Sequence, residues 1–176
     1  MVQIIEQLRR DHSNMSLLLD IIEEETNAYR GGGVPDFDLL RMIADYVLHY
    51  PNLVHHPKED LVFERLIVRD PEAKTLIGDL VGEHRRLSEL THRFASAIAN
   101  AGRDVELPRE WLDALTREYL LANRTHMQTE ERHFLPRAMA MLKDEDWAAI
   151  DERITRTEDP VFGEKVAGAY LLLVER

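Results

Sequence analysis

The stretch "HYPNLVHHPKED", residues 49–60, decides how this chain is read, because it packs three histidines, two acids and two prolines into twelve positions of an otherwise helical run. In a helix interior each proline costs about 3 kcal/mol. Pro51 and Pro57 therefore need compensation from whatever the histidines are doing. Proline removes a backbone hydrogen bond and bends a helix, and the bend predicted here shifts the inward face by about one residue. Without it, steps of three and four from Tyr46 through Tyr50 and Leu53 bring His56 and Asp60 inward. With it, the inward pair is His55 and Glu59.

A second stretch favours the latter. "HHPKEDLVF" from His55 matches "HMQTEERHF" from His126 as His, three residues, Glu, a second acid, two residues, Phe, at an offset of 71. "DHSNMSLLL" from Asp11 matches "EHRRLSELT" from Glu83 as acid, His, then Met or Leu, Ser and Leu at the same steps, at an offset of 72. Two motifs in the same order at nearly one offset indicate a duplicated helical hairpin related by a pseudo-twofold axis. Each copy carries one lone histidine and one His-x3-Glu pair.

Outward from these motifs the chain reads as helix. Ile5, Leu8, His12, Met15, Leu19 and Ile22 form one apolar stripe, with His12 inside it. "RGGGVPD" ends that helix and Asp36 caps the next, which runs to about Arg69. Asp70 and Pro71 are expected to open a third helix carrying Ile77, Leu80, His84, Leu87, Thr91, Phe94 and Ile98 and ending near Gly102. A fourth starts near Pro108 and carries Leu112, Leu115, Tyr119, Ala122, His126, Glu130 and His133. "DEDWAAIDERITR" predicts a short fifth helix, and "VFGEKVAGAYLLLVER" an amphipathic C-terminal segment on the outside. No period of two is sustained, so the fold class is all-α. Short connections between long helices predict an up-down-up-down antiparallel four-helix bundle over residues 1–142, with 143–176 as a helical extension of the same domain.

The four histidine motifs share one height. Counted to the end holding the two intra-hairpin loops, His12 is 18 residues from Arg30, His55 is 19 from Asp36, His84 is 16 from Asn100 and His126 is 18 from Pro108. At ~1.5 Å per residue these agree within about 5 Å. In a helix, i and i+4 lie on one face, so His55 with Glu59 and His126 with Glu130 aim at the same axis as His12 and His84. Buried unpaired carboxylates are costly or become protonated, and clustered neutral imidazoles offer too few donors to satisfy each other; cations such as iron, manganese or zinc resolve both. Six donors exceed the four of a structural zinc and suit two metals sharing the carboxylates. The Glu-x-x-His runs at Glu89 and Glu130 suggest a ferritin-like alternative, but His92 and His133 fall about 25 Å apart along the bundle, too far to share a site.

These motifs resemble the hemerythrin-like domains, also called HHE cation-binding domains, over about residues 8 to 140. The resemblance implies that His12 and His55 ligate one iron, that His84 and His126 ligate the other, and that Glu59 and Glu130 bridge them with an oxo or hydroxo group. Oxygen-carrying members have a further histidine where this chain has Ser88. The four-histidine, two-carboxylate set is instead similar to bacterial di-iron proteins of nitrosative stress and iron–sulfur cluster repair. His56, Glu83 and His133 are candidates to stand behind the ligands.

Composition narrows the function further. A formal net charge of −11 without a basic cluster argues against nucleic-acid and anionic-membrane partners. The absence of cysteine excludes disulfides, thiolate chemistry and iron–sulfur ligation. Neither a signal-peptide core nor a run of ~20 apolar residues is present, so the cytoplasm is the expected compartment. Three readings follow: a di-iron protein acting on nitric oxide, oxygen or peroxide or supplying iron, an iron or oxygen sensor or store working through a protein partner, and a metal-free bundle. No glycine-flanked serine elbow supports a hydrolase.

Overall fold

The computed structural model describes residues 3–101, 108–154, 157–163, 170 and 173, and among them every regular element is helical. Helix α1 spans Gln3–Arg30 and α2 spans Phe37–Tyr50. The Asp36 carboxylate accepts a hydrogen bond from the Leu39 amide at 2.9 Å, the cap its position predicts. A π-helical turn over Pro51–His55 leads directly into α3, His56–Arg69. Then follow α4 (Ala73–Ile77), α5 (Leu80–Ala101) and α6 (Arg109–Thr129). A second π turn over Glu130–Phe134 joins α6 to α7 (Leu135–Met141), and α8 spans Asp144–Arg153.

The two π turns answer the proline question. In each, an amide bonds five residues back, His56 to the Pro51 carbonyl and Leu135 to the Glu130 carbonyl. The wider turn absorbs one extra residue, so the helix re-enters α geometry rotated by about one position. Leu53, on the inward line of a straight helix, is 68% exposed, while the consecutive residues His55 and His56 are both buried. The face shift is present, produced by a wide turn rather than by a simple proline bend. The second turn, unforeseen from sequence, acts likewise: His133 points out and Phe134 and Leu135 both point in.

The third helix also departs from expectation. Asp70 ends α3 instead of capping a long helix, and its carboxylate accepts from Arg137. The short α4 stops at Gly78, whose φ of 88° lies in the region that favours glycine. Asp79 then starts α5, accepting from the Gly82 amide at 3.2 Å. The predicted end near Gly102 lies outside the described residues.

Two apolar clusters flank a polar layer. One holds Met15, Ile22, Ile43, Tyr46, Phe94, Leu115 and Tyr119; the other holds Ile5, Leu8, Val62, Leu66, Leu80, Phe134 and Trp147. Helix α1 passes from Leu8 in the second to Met15 in the first, with His12 between. The α2–α3 segment crosses back from Tyr50 to Val62 through His55 and Glu59, α5 crosses from Leu80 to Leu90 through His84, and α6–α7 from Tyr119 to Phe134 through His126 and Glu130. Helix α1 packs on α6, and α2 on α5. Asp146 clamps α8 to this frame, accepting from Arg69 at 2.8 Å and from Arg65. The C-terminal segment expected from Val161 onward falls mostly outside the described residues; Val161, Tyr170 and Leu173 are buried in the first cluster. Among the described residues no helix is long and apolar enough to cross a membrane.

Candidate metal centre

Six side chains converge between the clusters. His12, His55, His84 and His126 are at most 5% exposed, and Glu59 and Glu130 are fully buried. Their inner atoms interlock. Glu59 sets Oε1 at 3.3 Å from Nε2 of both His12 and His55, and Oε2 at 3.5 Å from Nε2 of His84. Glu130 sets Oε1 at 3.1 Å from Nε2 of His126 and 3.4 Å from that of His84, and Oε2 at 3.3 Å from that of His12. Each carboxylate thus offers one oxygen to the His12 side and the other to the His84 side. The halves match: the His12–His55 and His84–His126 ring centroids are both 4.9 Å apart.

The outer nitrogens form a closed circuit. Nδ1 of His55 donates to Asp11 on α1 at 3.0 Å, and Nδ1 of His84 donates to Asp60 on α3 at 2.8 Å. Nδ1 of His126 donates to Glu83 on α5 at 3.2 Å, and Nδ1 of His12 donates to Glu131 at 2.9 Å, next to Glu130. Each acid is adjacent in sequence to one residue of the six and serves the histidine of the next helix. A carboxylate on Nδ1 fixes the tautomer, turns the Nε2 lone pair inward and raises its basicity. Glu83 was foreseen in such a role beside His84, but it acts on His126. Asp11 and Glu131 were missed, and Asp60 was weighed only as the inward acid of an unbent helix, although both halves of the repeat show an acid before the lone histidine and a second acid after the glutamate.

The carboxylates dominate the electrostatics. Burial opposes charge on the imidazoles, but the close carboxylates of Glu130, Glu131 and Glu59 push His12 up to about 12. Against the same burial, Asp60, Glu130 and Glu59 push His84 up to about 11, and the charge of Glu130 with the neighbouring carboxylate of Glu83 pushes His126 up to about 9. His55 is likewise raised despite its burial, by the Glu59 charge and the Asp11 hydrogen bond. Burial, and for Glu130 the charge of Glu59, push the two inner carboxylates up, yet the surrounding histidines hold both below the usual range. The site therefore calls for positive charge at its centre, from protons or from cations.

His56 behaves differently. It is buried, stacked on His84 at 4.2 Å and 10°, and its affinity for a proton is lowered by burial and then by the charges of His84 and His55. A ligand atom of His56 lies within 4.8 Å of ligand atoms on Glu59, His84 and His126, so it stands beside them and not behind. His133 is exposed and joins no part of the cluster, because the π turn rotates it outward.

These residues suit a metal. Nε2 of His12, His55 and His126, both oxygens of Glu59 and Oε2 of Glu130 are buried without a hydrogen-bond partner, since their short separations lack the required alignment. Leaving one such atom unsatisfied costs about 1–3 kcal/mol, and six of them face one centre. Imidazole nitrogen and carboxylate oxygen are donors for iron, zinc and manganese. Among the described residues two groups have metal-holding spacing, His12 with His55 and Glu59, and His56 with Glu59, His84 and His126.

The family model for the hemerythrin HHE cation binding domain matches residues 3–138. Comparison with curated proteins and with solved structures gives no match.

Proposed function

This chain belongs to the hemerythrin HHE cation-binding domain family, and from that premise we propose that it is a non-heme di-iron protein on an up-down-up-down four-helix bundle. The alternating passage of the helical segments between the two apolar clusters supports that topology. The observation carrying the metal reading is the division of Glu59 and Glu130, each with one oxygen toward the His12 side and one toward the His84 side. That division suits bridging. His12 and His55 would hold one ion and His84 and His126 the other, and the acids behind them keep each Nε2 aimed inward.

A bound iron pair supplies redox and Lewis-acid chemistry toward a small diatomic or peroxide ligand. The chain contributes a buried site, preset imidazoles and a cavity of about 20 Å³ lined by His55, His56, His126, Glu130 and apolar neighbours. That space suits a molecule of about water size, which favours nitric oxide, oxygen or peroxide as the molecule handled; iron supply for cluster repair is the alternative that the resemblance implies.

Protein isolated without added metal is expected to carry two irons per chain and to show near-ultraviolet charge-transfer absorption. Stoichiometric zinc or manganese in place of iron, or one ion per chain, contradicts the di-iron reading. Rapid turnover of nitric oxide or peroxide favours small-molecule chemistry, and transfer of iron to a metal-free acceptor favours supply.

A further inference from the structure

The duplicated halves differ at one buried position beside the centre. His55 pairs with His126 at the offset of 71, so His56 pairs with Met127, and both are 8% exposed. Both also line the small cavity. One half therefore adds an imidazole where the other has a thioether, and the centre holds five buried histidines.

The fifth is anchored unlike the rest. Nδ1 of His12, His55, His84 and His126 each donates to a carboxylate, whereas His56 has no acid behind it among the described residues. Ring packing holds it: face to face with His84 at 4.2 Å, and edge-on to His126 at 5.8 Å and 88°. Its ligand atom lies within 4.8 Å of those of Glu59, His84 and His126. Two donors about 2.1 Å from one ion are at most about 4.2 Å apart, so a small side-chain rotation closes the difference. A histidine without an orienting carboxylate is a less basic and less rigid ligand.

We propose that His56 is an exchangeable third imidazole for the metal held by His84 and His126, binding it while the adjoining cavity is free and yielding to a small molecule entering there. The two metal positions are then unequal, three nitrogens on this side and two on the His12–His55 side. This rests on the two-metal reading above.

The test is cobalt(II) titration of the metal-free full-length chain, followed by visible d–d absorption, for wild type and for His56→Met, which copies the other half of the repeat. Wild type is expected to take up two ions with distinct spectra. His56→Met should take up two as well, with the spectrum of one ion altered by loss of a nitrogen and that ion held about tenfold or more weakly. Azide, as the probe small molecule, should bind the loaded variant more tightly than wild type, because no imidazole has to be displaced.

An identical titration and spectrum in wild type and variant overturns the role of His56. Azide binding more weakly to the variant also overturns it, making His56 a hydrogen-bond donor to the bound molecule instead. Wild type that binds fewer than two ions overturns the two-metal reading itself, and this proposal with it. Far-ultraviolet circular dichroism checks folding, and His56→Gln, with a polar side chain of similar reach, carries the same test if the methionine variant unfolds.

Discussion

Asp11 and His55 meet at 3.0 Å in the buried interior although 44 residues separate them, and Asp11 is the immediate neighbour of a different histidine of the cluster, His12. Its second oxygen accepts from Gln7 at 2.7 Å. The carboxylate is thus committed to orienting His55 from the neighbouring helix.

Asp11→Asn should weaken metal binding by about 10–100-fold while leaving the helical content intact, because the amide keeps the shape but loses the anionic acceptor that presets Nε2. Chelator competition with circular dichroism on the same samples checks it. Unchanged affinity would show that the acid only fills space.

Glu59→Ala and Glu130→Ala are each expected to end binding of the paired ions and to leave the helices formed. Each glutamate contacts three histidines through two oxygens, so no other side chain replaces it. Two metals per chain in either variant, by elemental analysis, would defeat the bridging assignment.

Stability of the metal-free protein should fall as pH rises above neutrality. His126, His84 and His12 have folded values raised from 6.5 to about 9, 11 and 12, so the stability they add is complete below their unfolded value and is lost as pH passes through the folded ones, His126 first. Glu59 and Glu130 are depressed below 4.5, so theirs is present above that value and lost on acidification. The metal-free melting temperature should therefore peak between about pH 4.5 and 6.5. Metal ligation needs unprotonated imidazoles, so the stabilisation by metal should grow across about pH 6.5 to 9. Thermal melts with and without chelator over this range test both signs; a metal-free melting temperature rising toward pH 9 would contradict them.

Phe134→Ala and His133→Ala should differ sharply despite adjacency. Phe134 is fully buried at the end of the second π turn, packed edge-on to Phe63, and its truncation should cost about 3–5 kcal/mol. His133→Ala should stay within about 0.5 kcal/mol and keep its metal. Denaturant unfolding separates them. Equal losses would mean that the helix phase after Glu130 is that of an uninterrupted α-helix.

The residue order by itself determined the helices, the duplication and the common height of the six polar side chains, because spacing along a helix is local: rise per residue and the i, i+4 relation need no knowledge of neighbours. The apolar stripes through His12 and His84 are buried as that spacing predicts. Only the tertiary structure decided the phase of the two helical segments that carry the His-x3-Glu pairs. A π turn after Tyr50 brings His55 and His56 in together and turns Leu53 out, and another after Thr129 sends His133 to solvent. Whether a helix widens by one residue depends on what its next turn must pack against. The same holds for the acids: all four sit in the repeated motifs, but their partners are on the next helix, and that pairing exists only once the helices are side by side.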